Sequence, residues 1–449
     1  MTPLPDKPPL EGSHSPGRID DTVLIVSPHF PPSTLAGVHR ARHLAKHLPA
    51  HGWRPVVIRV AEEHYTETHD PAILLLTSPT VEQVRTRAMP ANLSRAFGIG
   101  DIGLRAYAAL GSAIAKAARR ENAKAILITG APFYPMLLAG RLRQQLRLPV
   151  VLDFQDPWVS AEGATRAWLS KGRMAHRLSL ALEPHAVRSA SWITSVSQTQ
   201  NDEMADRYSW LDRKRMSAIP IGGDPEDFVI SRGISLENRA IDLDTQRFNL
   251  CYVGTFLPRA GPIVRTMFMA AALLKQERPD LAAKLRFVFV GTSNQPQGRV
   301  ASASAHRVLP IATEVGVDGM VEEYPARVPF AEALRLNANA DGLMLLGSDE
   351  PHYTASKIYP ALMSGRPYIS LFHAQSSSHD ILSRSGGGAT FAFNDLAQLP
   401  NLAPAIAGMI VRMIESPESF GKADTATYAP YTAQAIAGEF ADVLRKAAS

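Results

Sequence analysis

The feature that most constrains this chain is an alternation, run through twice, of short apolar runs with stretches of helical spacing. In the first series TVLIVSPHF, RPVVIRV, AKAILITG, PVVLDFQD and SWITSVS are β-branched and bounded by Gly, Pro or Asp. That pattern suits strands buried on both faces. Between them lie segments such as VHRARHLAKHLPAHG, in which Val38, Leu44 and Leu48 recur on one side and Gly52 closes the helix. The second series is FNLCYVGTF, LRFVFVG, GLMLLGS, RPYISLF and GATFAF, separated by PIVRTMFMAAALLKQ, FAEALRLNAN and SKIYPALMSG. Repetition of this kind predicts parallel, doubly wound sheets, because parallel neighbours need a crossover between them.

The two series are joined by a polar, acidic stretch poor in core-forming runs, which marks a domain boundary. The expected architecture is α/β, with two Rossmann-like domains facing each other across an interdomain cleft. The first spans 21–225, a linker 226–247, and the second 248–428; a helix over 429–449 has a return to the first domain as one route. Residues 1–20 are rich in Pro, Ser and Gly and lack both apolar periodicity and a secretory hydrophobic segment, so they read as a disordered tail. A ligand is expected between the domains, at the carboxyl ends of the strands.

Composition narrows the class. With 449 residues, 45% hydrophobic and 20% charged, the chain can bury two or three cores as an ordinary globular protein. No apolar stretch approaches the ~18 to 20 residues of a membrane span. The single cysteine, Cys251, cannot form an internal disulfide and sits in an apolar strand-like run, where it reads as buried filler rather than a nucleophile. Both facts fit a cytoplasmic protein.

Charge is uneven. Residues 1–220 hold 27 Lys and Arg against 19 Asp and Glu, and the remainder 20 against 23. The cations concentrate in RTRAMPANLSRAFGIGDIGLRAYAALGSAIAKAARR and WLSKGRMAHRLSLALEPHAVRSA, both of which can be written as helices with an apolar and a cationic face. Such faces are either solvated surface or a peripheral contact with an anionic membrane, here its inner face, or with an acidic acceptor. Nucleic acid is not expected, since no aromatic-interleaved basic platform accompanies the charge.

Five stretches carry candidate chemistry. In SPHFPPSTLAGVHRARHLAKHL a strand ends, a Pro-rich turn follows, and Ala36-Gly37 precede a helix whose first N–H groups can face an anion or a sugar hydroxyl. In VVLDFQDPWVS, Asp153 and Asp156 flank Gln155 at a strand end, where a carboxylate can hold an acceptor hydroxyl; the alternative for Asp156 is a turn cap before Pro157. SVSQTQNDEM and IPIGGDPEDF read as structural, with Ser197 or Thr199 an N-cap and Gly222-Gly223 a tight turn. In YVGTFLPRAGPIVRTM a strand ends at Gly254-Thr255 and one cation, Arg259, precedes a helix with Pro262 in its first turn; its guanidinium fork suits a diphosphate. In GSDEPHYTASKIYPALMSGRPYI a helix is expected to start near Pro360, placing Lys357 just before a positive dipole end, an unfavourable place for a cation unless an anion sits there. None of these five stretches carries an Asp-x-Asp motif or paired cysteines, so neither metal nor cofactor is expected.

These stretches together resemble the glycosyltransferases of the family 4 type, from about residue 22 onward. The first carries PP-S-x-x-A-G-x-x-R-x-x-x-L-A-K-x-L and then H-G-W-x-P-x-V-I; the last is similar to the K-x-Y-E-Y-L-A-x-G-x-P signature at Lys357, Tyr359, Leu362, Gly365 and Pro367. The resemblance implies the GT-B architecture, with the Ala36-Gly37 loop over the donor diphosphate and the acceptor. The chain departs from the family in three places. Gln155 stands where many relatives have histidine, Thr255 and Ala260 stand where basic residues are frequent, and His352 and Pro360 occupy the positions of the two carboxylates of E-x7-E, with Asp349 and Glu350 as nearby substitutes.

The expected activity is transfer of a sugar from a nucleoside diphosphate sugar, the substrate rather than a cofactor, to a hydroxyl of a glycan or lipid-linked acceptor. Retention of configuration is implied by the resemblance only. Gly254, Thr255, Arg259, Glu350, Ser356, Lys357 and Tyr359, with Ala36 and Gly37, form the expected donor site. His29, Phe30, Asp153 and Asp156 form the acceptor side, the two aspartates as catalytic candidates. Two other readings stay open: a transferase-like scaffold that has lost turnover, and a nucleotide-sugar epimerase.

Overall fold

The computed structural model describes residues 21–96, 99–160, 163, 167–168, 170–234, 241–295, 303–350 and 355–449. The tail expected over 1–20 and His352 lie outside them. The first sheet contains β1 (Asp21–Val26), β2 (Trp53–Val60), β3 (Glu82–Thr86), β4 (Ala125–Gly130), β5 (Val150–Phe154), β6 (Trp192–Ser195) and β7 (Met216–Ala218), in the order β3-β2-β1-β4-β5-β6-β7. The second contains β8 (Phe248–Val253), β9 (Leu285–Gln295), β10 (Val321–Ala326), β11 (Gly342–Leu346), β12 (Tyr368–His373) and β13 (Gly388–Phe393), in the order β10-β9-β8-β11-β12-β13. Every strand pairing in both sheets is parallel.

Burial explains why the strands read as unbroken apolar runs. Val23 to Val26 are fully buried, with Leu24 between Val56 and Ile126 in register, because helices cover both faces. In each sheet the chain winds outward from a central strand, returns and winds the other way. The switch points, β1/β4 and β8/β11, open crevices beyond the strand ends. The loops after β1 and β4 therefore make one wall of a cleft, and those after β8 and β11 the other.

The helices that matter for the site are α1 (Val38–His47), α2 (Lys171–Arg188), α3 (Pro225–Gly233), α4 (Phe330–Asn339), α5 (Ile358–Ser364) and α6 (Ala433–Ala448). Two differ from expectation. The stretch read as linker begins with α3, whose start is specified locally: Asp224 Oδ1 accepts from the Glu226 N–H, Pro225 opens the helix, and Glu226 and Asp227 complement the dipole in its first turn. α5 starts at Ile358, not at Pro360. Pro360 stands third in the helix, where the N–H it lacks would have had no intrahelical partner.

Two segments cross between the sheets side by side. Gly223 bridges Thr432 in parallel fashion, its N–H bonding Tyr431 O and its carbonyl accepting from Ala433 N–H. Gly222 has φ +69°, and a Cβ there would lie 2.4 Å from Tyr431 O, so only glycine fits this crossing. After it, α6 buries Ile436, Phe440 and Leu444 against Val23, Ile25, Leu44 and Trp53 of the first sheet's layer. Cys251 is buried in β8, and desolvation pushes its thiol up to about 12, so it is inert at neutral pH.

Candidate functional site

Between the two sheets lies a cavity of about 430 Å³. Ala36, His39 and His43 face it from the loop after β1 and from α1; Gly222 to Asp224 and Asp227 from the crossing and α3; Gly254 and Thr255 from the end of β8; Arg327 to Phe330 from the loop after β10; Ser356, Lys357 and Pro360 from the start of α5. The strand-end placement read from the sequence thus brings Ala36, Gly254, Thr255, Ser356 and Lys357 to one cavity.

Lys357 is the N-cap residue of α5, and its ammonium lies 4.1 Å from the Tyr252 ring centroid while donating to the Tyr252 hydroxyl. Among the described residues no carboxylate pairs with it. Burial without a counter-charge lowers its pKa from 10.5 to about 7. Gly254, at φ +143°, lets the backbone pass beside this amine: a Cβ there would lie 3.8 Å from Lys357 Nζ. The cavity wall therefore holds a desolvated cation beside bare backbone, an arrangement that suits a phosphate group.

Arg327 is a second cation on the wall. It was not anticipated from the sequence, since YPARVPF shows only an arginine in a loop. Its Nη1 donates to Thr34 O at 3.2 Å, which ties the second domain to the loop after β1. Close by, the Asp70 carboxylate accepts from the Phe330 N–H at 3.0 Å, at the start of α4, and His39 packs on the Phe330 ring at 4.2 Å.

A polar cluster beneath the cavity was also missed. Arg42 is fully buried and makes a two-pronged bond to Asp227, 2.8 and 2.6 Å, while Nη1 also reaches Leu76 O at 2.9 Å. Lys46 and His47 both reach Asp224 Oδ2, at 2.7 and 2.8 Å. Burial alone would raise both carboxylates, but the bonds from His47 and Lys46 bring Asp224 down to about 2, and those from Arg42 and His43 hold Asp227 well below the usual range. Burial, reinforced by Arg42, lowers the pKa of both His39 and His43. His43, Asp224 and Asp227 present ligand atoms within 4.8 Å of one another, a spacing that suits a metal ion, yet Arg42, Lys46 and His47 already compensate the two carboxylates. The only sequence signal was the spacing of cations along α1, which is otherwise that of a solvated face.

Several expected site residues are placed elsewhere. Asp153 is fully buried, bonded by Thr194 Oγ1 at 2.9 Å and lying 3.3 Å from Arg40 Nε; Arg40 in turn holds the carbonyls of Ile219 and Pro220. It supports the interdomain crossing and does not line the cavity, because its strand position faces a helix layer. Phe30 is fully buried in the first core, and its N–H bonds the Tyr65 hydroxyl. Tyr359 is buried against Tyr431 and does not line the cavity. Arg259 is exposed and ion-paired with Asp349 and Glu350, so neither it nor Glu350 lines the cavity wall. The acids that might replace the missing carboxylates are thereby engaged elsewhere.

Gly37 caps α1, with its carbonyl held by Gln155 Nε2 at 3.2 Å; Gln155 also bonds Thr129 Oγ1. Gln155 thus positions the Ala36-Gly37 loop. His29 Nδ1 lies 2.7 Å from Glu67, whose carboxyl is raised by burial but brought down to about 2 by the His29 and Ser33 bonds. Asp156 is exposed beyond β5, though closely enough surrounded that desolvation raises its pKa. It caps no helix described here. Asp156→Asn is expected to lower transfer about 100-fold with donor affinity unchanged, in single-turnover assays alongside donor titration. Full activity would leave Asp156 as a surface residue.

Residues 37–227 match the family model Glycosyltransferase Family 4. The matched segment lies in the first domain, which is similar to that family. Comparison with curated proteins finds no match. Among solved structures, sucrose-phosphate synthase from Thermosynechococcus elongatus is similar at a TM-score of 0.59 and 16% identity, over 95% of this chain and 98% of that one. HepE of Anabaena, in complex with UDP-glucose, is similar at a TM-score of 0.52 and 17% identity, over 95% and 96%. The N-terminal domain of Candida albicans trehalose-6-phosphate phosphatase is similar at a TM-score of 0.60 and 13% identity, over 97% and 99%. Likeness at these identities establishes the fold, which is GT-B. The segment matched in sequence supplies Gly37, His39 and Asp156, with Ala36 immediately before it, whereas Lys357 and Arg327 come from the second sheet's domain.

Proposed function

We propose that this glycosyltransferase moves a sugar from a nucleoside diphosphate sugar to an acceptor hydroxyl, without a metal ion and with retention of configuration. The proposed setting is cell-surface glycan or glycolipid synthesis in the cytoplasm, with peripheral contact at the inner face of the membrane. The observation that carries the reading is Lys357, a desolvated cation without a carboxylate partner among the described residues, on the wall of the interdomain cavity. In it, Lys357, Arg327 and the backbone at Gly254-Thr255 receive the diphosphate and stabilise the charge that builds on the leaving group. Positive side chains do the work a divalent cation does elsewhere. HepE and a trehalose-6-phosphate protein of E. coli, solved with UDP-glucose and UDP-2-fluoro glucose, support donors of this class. The acceptor approaches from the first domain, where the His29–Glu67 pair and Asp156 lie. No helix among the described residues is long and apolar enough to cross a membrane.

Pro360, on the cavity wall where relatives carry a glutamate, favours the scaffold as the second reading. One experiment separates the two. Thermal unfolding is followed with UDP, GDP, ADP and TDP, and the nucleotide that stabilises is then supplied as its sugar conjugates. One diphosphate is expected to stabilise by about 2.7 kcal/mol at a hundredfold excess over Kd, with slow sugar release following. Binding with no release or transfer supports the scaffold, and no stabilisation by any of the four sinks both.

A further inference from the structure

We propose that the outward face of α2 is a docking surface for an anionic phospholipid bilayer. The surface gives residues to the peripheral contact in the proposed function and rests on that reading for its purpose, but not for its chemistry. Of the two basic stretches in the sequence, the structure separates their fates. The helix Tyr107–Arg120 buries Leu110, Ile114 and Ala118 in the first core, and Arg120 pairs with Glu82 and Glu121. Its apolar face is spent on folding.

α2 is different. Over its first eleven residues none is buried, and Met174 and Leu178 are 62% and 46% exposed. Met174, Leu178 and Ala181 follow at helical spacing, so they form one apolar stripe. Lys171, Arg177 and Arg188 flank it, and the helix's sole acid, Glu183, is fully buried on the opposite side, bonding the Tyr208 hydroxyl at 2.9 Å. Two arginines of this helix lie over exposed tryptophans from neighbouring segments: Arg177, in its first half, at 3.7 Å from Trp168, which precedes the helix, and Arg188, its last residue, at 4.6 Å from Trp210.

An apolar stripe with cations along it and indoles beside it is the composition of a helix lying in a membrane interface, where rings and stems enter the headgroup boundary and cations meet lipid phosphates. A second copy of the chain is a poor occupant, because a two-fold contact would set this cationic face against itself. Topology places the surface usefully. α2 leads from the carboxyl end of β5 back to β6, so its Lys171 end lies at the edge of the sheet where the cleft opens. A lipid-borne acceptor held by the same membrane would meet the cleft from that side.

The test is co-sedimentation of the full chain, without donor, with vesicles of phosphatidylcholine alone and of phosphatidylcholine mixed with phosphatidylglycerol. Binding is expected to the mixed vesicles only, and to fall as salt shortens the Debye length. Arg177→Gln is expected to weaken it about fivefold, and Met174→Glu with Leu178→Glu to abolish it. Equal binding to both vesicle types, or binding unchanged in the double variant, overturns the proposal. So does a dimer by analytical ultracentrifugation that the double variant dissociates, since a second copy would then be the occupant. Both variants are exposed, and diphosphate-dependent stabilisation measured on them confirms an intact fold; vesicle binding lost with that response intact supports the surface, and lost together with it in the double variant leaves Arg177→Gln to decide. Failure of vesicle binding leaves the donor site standing, and failure of every nucleotide leaves the docking surface standing.

Discussion

Lys357→Ala is expected to weaken nucleoside diphosphate binding by about 10- to 100-fold, the loss of a charge-assisted hydrogen bond of about 1.5–3 kcal/mol. The same residue gives the wild type a distinctive pH dependence. Its pKa in the free protein is lowered to about 7 by burial, whereas an ordinary lysine stays charged to 10.5. Below pH 7 the ammonium is already present and binding needs no proton. Above it, binding a diphosphate must first take up a proton, so affinity is expected to fall by up to tenfold per pH unit until the raised pKa of the complex is reached. Isothermal titration calorimetry across this range, in buffers of different ionisation enthalpy, reads both the affinity and the proton uptake. The fall and the uptake should both vanish in Lys357→Ala. An alanine variant with wild-type affinity, or a flat wild-type profile, would remove Lys357 from the donor site.

Asp227→Ala is expected to cost about 3–5 kcal/mol of stability, since it leaves the guanidinium of Arg42 buried without its partner. Arg42 has no solvent exposure and Asp227 only 2%, so solvent screening offers little relief. All five tryptophans, at 53, 158, 168, 192 and 210, belong to the first domain, so their fluorescence in a denaturant titration reports the unfolding of the domain that holds Arg42. A loss below about 1 kcal/mol would show that the pair is not what joins α1 to α3. Acid should act in the same direction. The folded pKa of Asp224 is about 2 against 3.8, and that of Asp227 is lower still, so their stabilisation is complete above about pH 4 and is lost as pH falls toward 2.

Lys357 and Asp227 differ in how far the sequence announced them. Lys357 was legible because it belongs to a local pattern, a lysine ahead of a helix that ends at Gly365, and the GT-B strand ends direct such a junction into the cleft. Arg259 belonged to an equally suggestive pattern, but it is paired with Asp349 and Glu350 and does not line the cavity. Asp153 sits where strand-end residues often reach a ligand, yet strand alternation turns it into the layer beneath the sheet, and Phe30, in the loop after β1, is packed into the same core. Arg327, Arg42 and Asp227 gave no warning. Their roles exist only once segments far apart in the chain are brought together.

The sequence by itself determined the two parallel sheets, their helices, a glycine turn at 222–223 and the presence of a lysine at the second domain's helix start. Each is written in a short window: β-branched runs give strands, i+3 and i+4 spacing gives helices, and a positive φ selects glycine. The tertiary structure alone decided which charges face the cavity. Arg42 meets Asp227 across 185 residues and Lys357 meets Tyr252 across 105. A charged side chain is committed by whatever partner the packed elements bring within a few ångströms, and local periodicity carries no information about that partner.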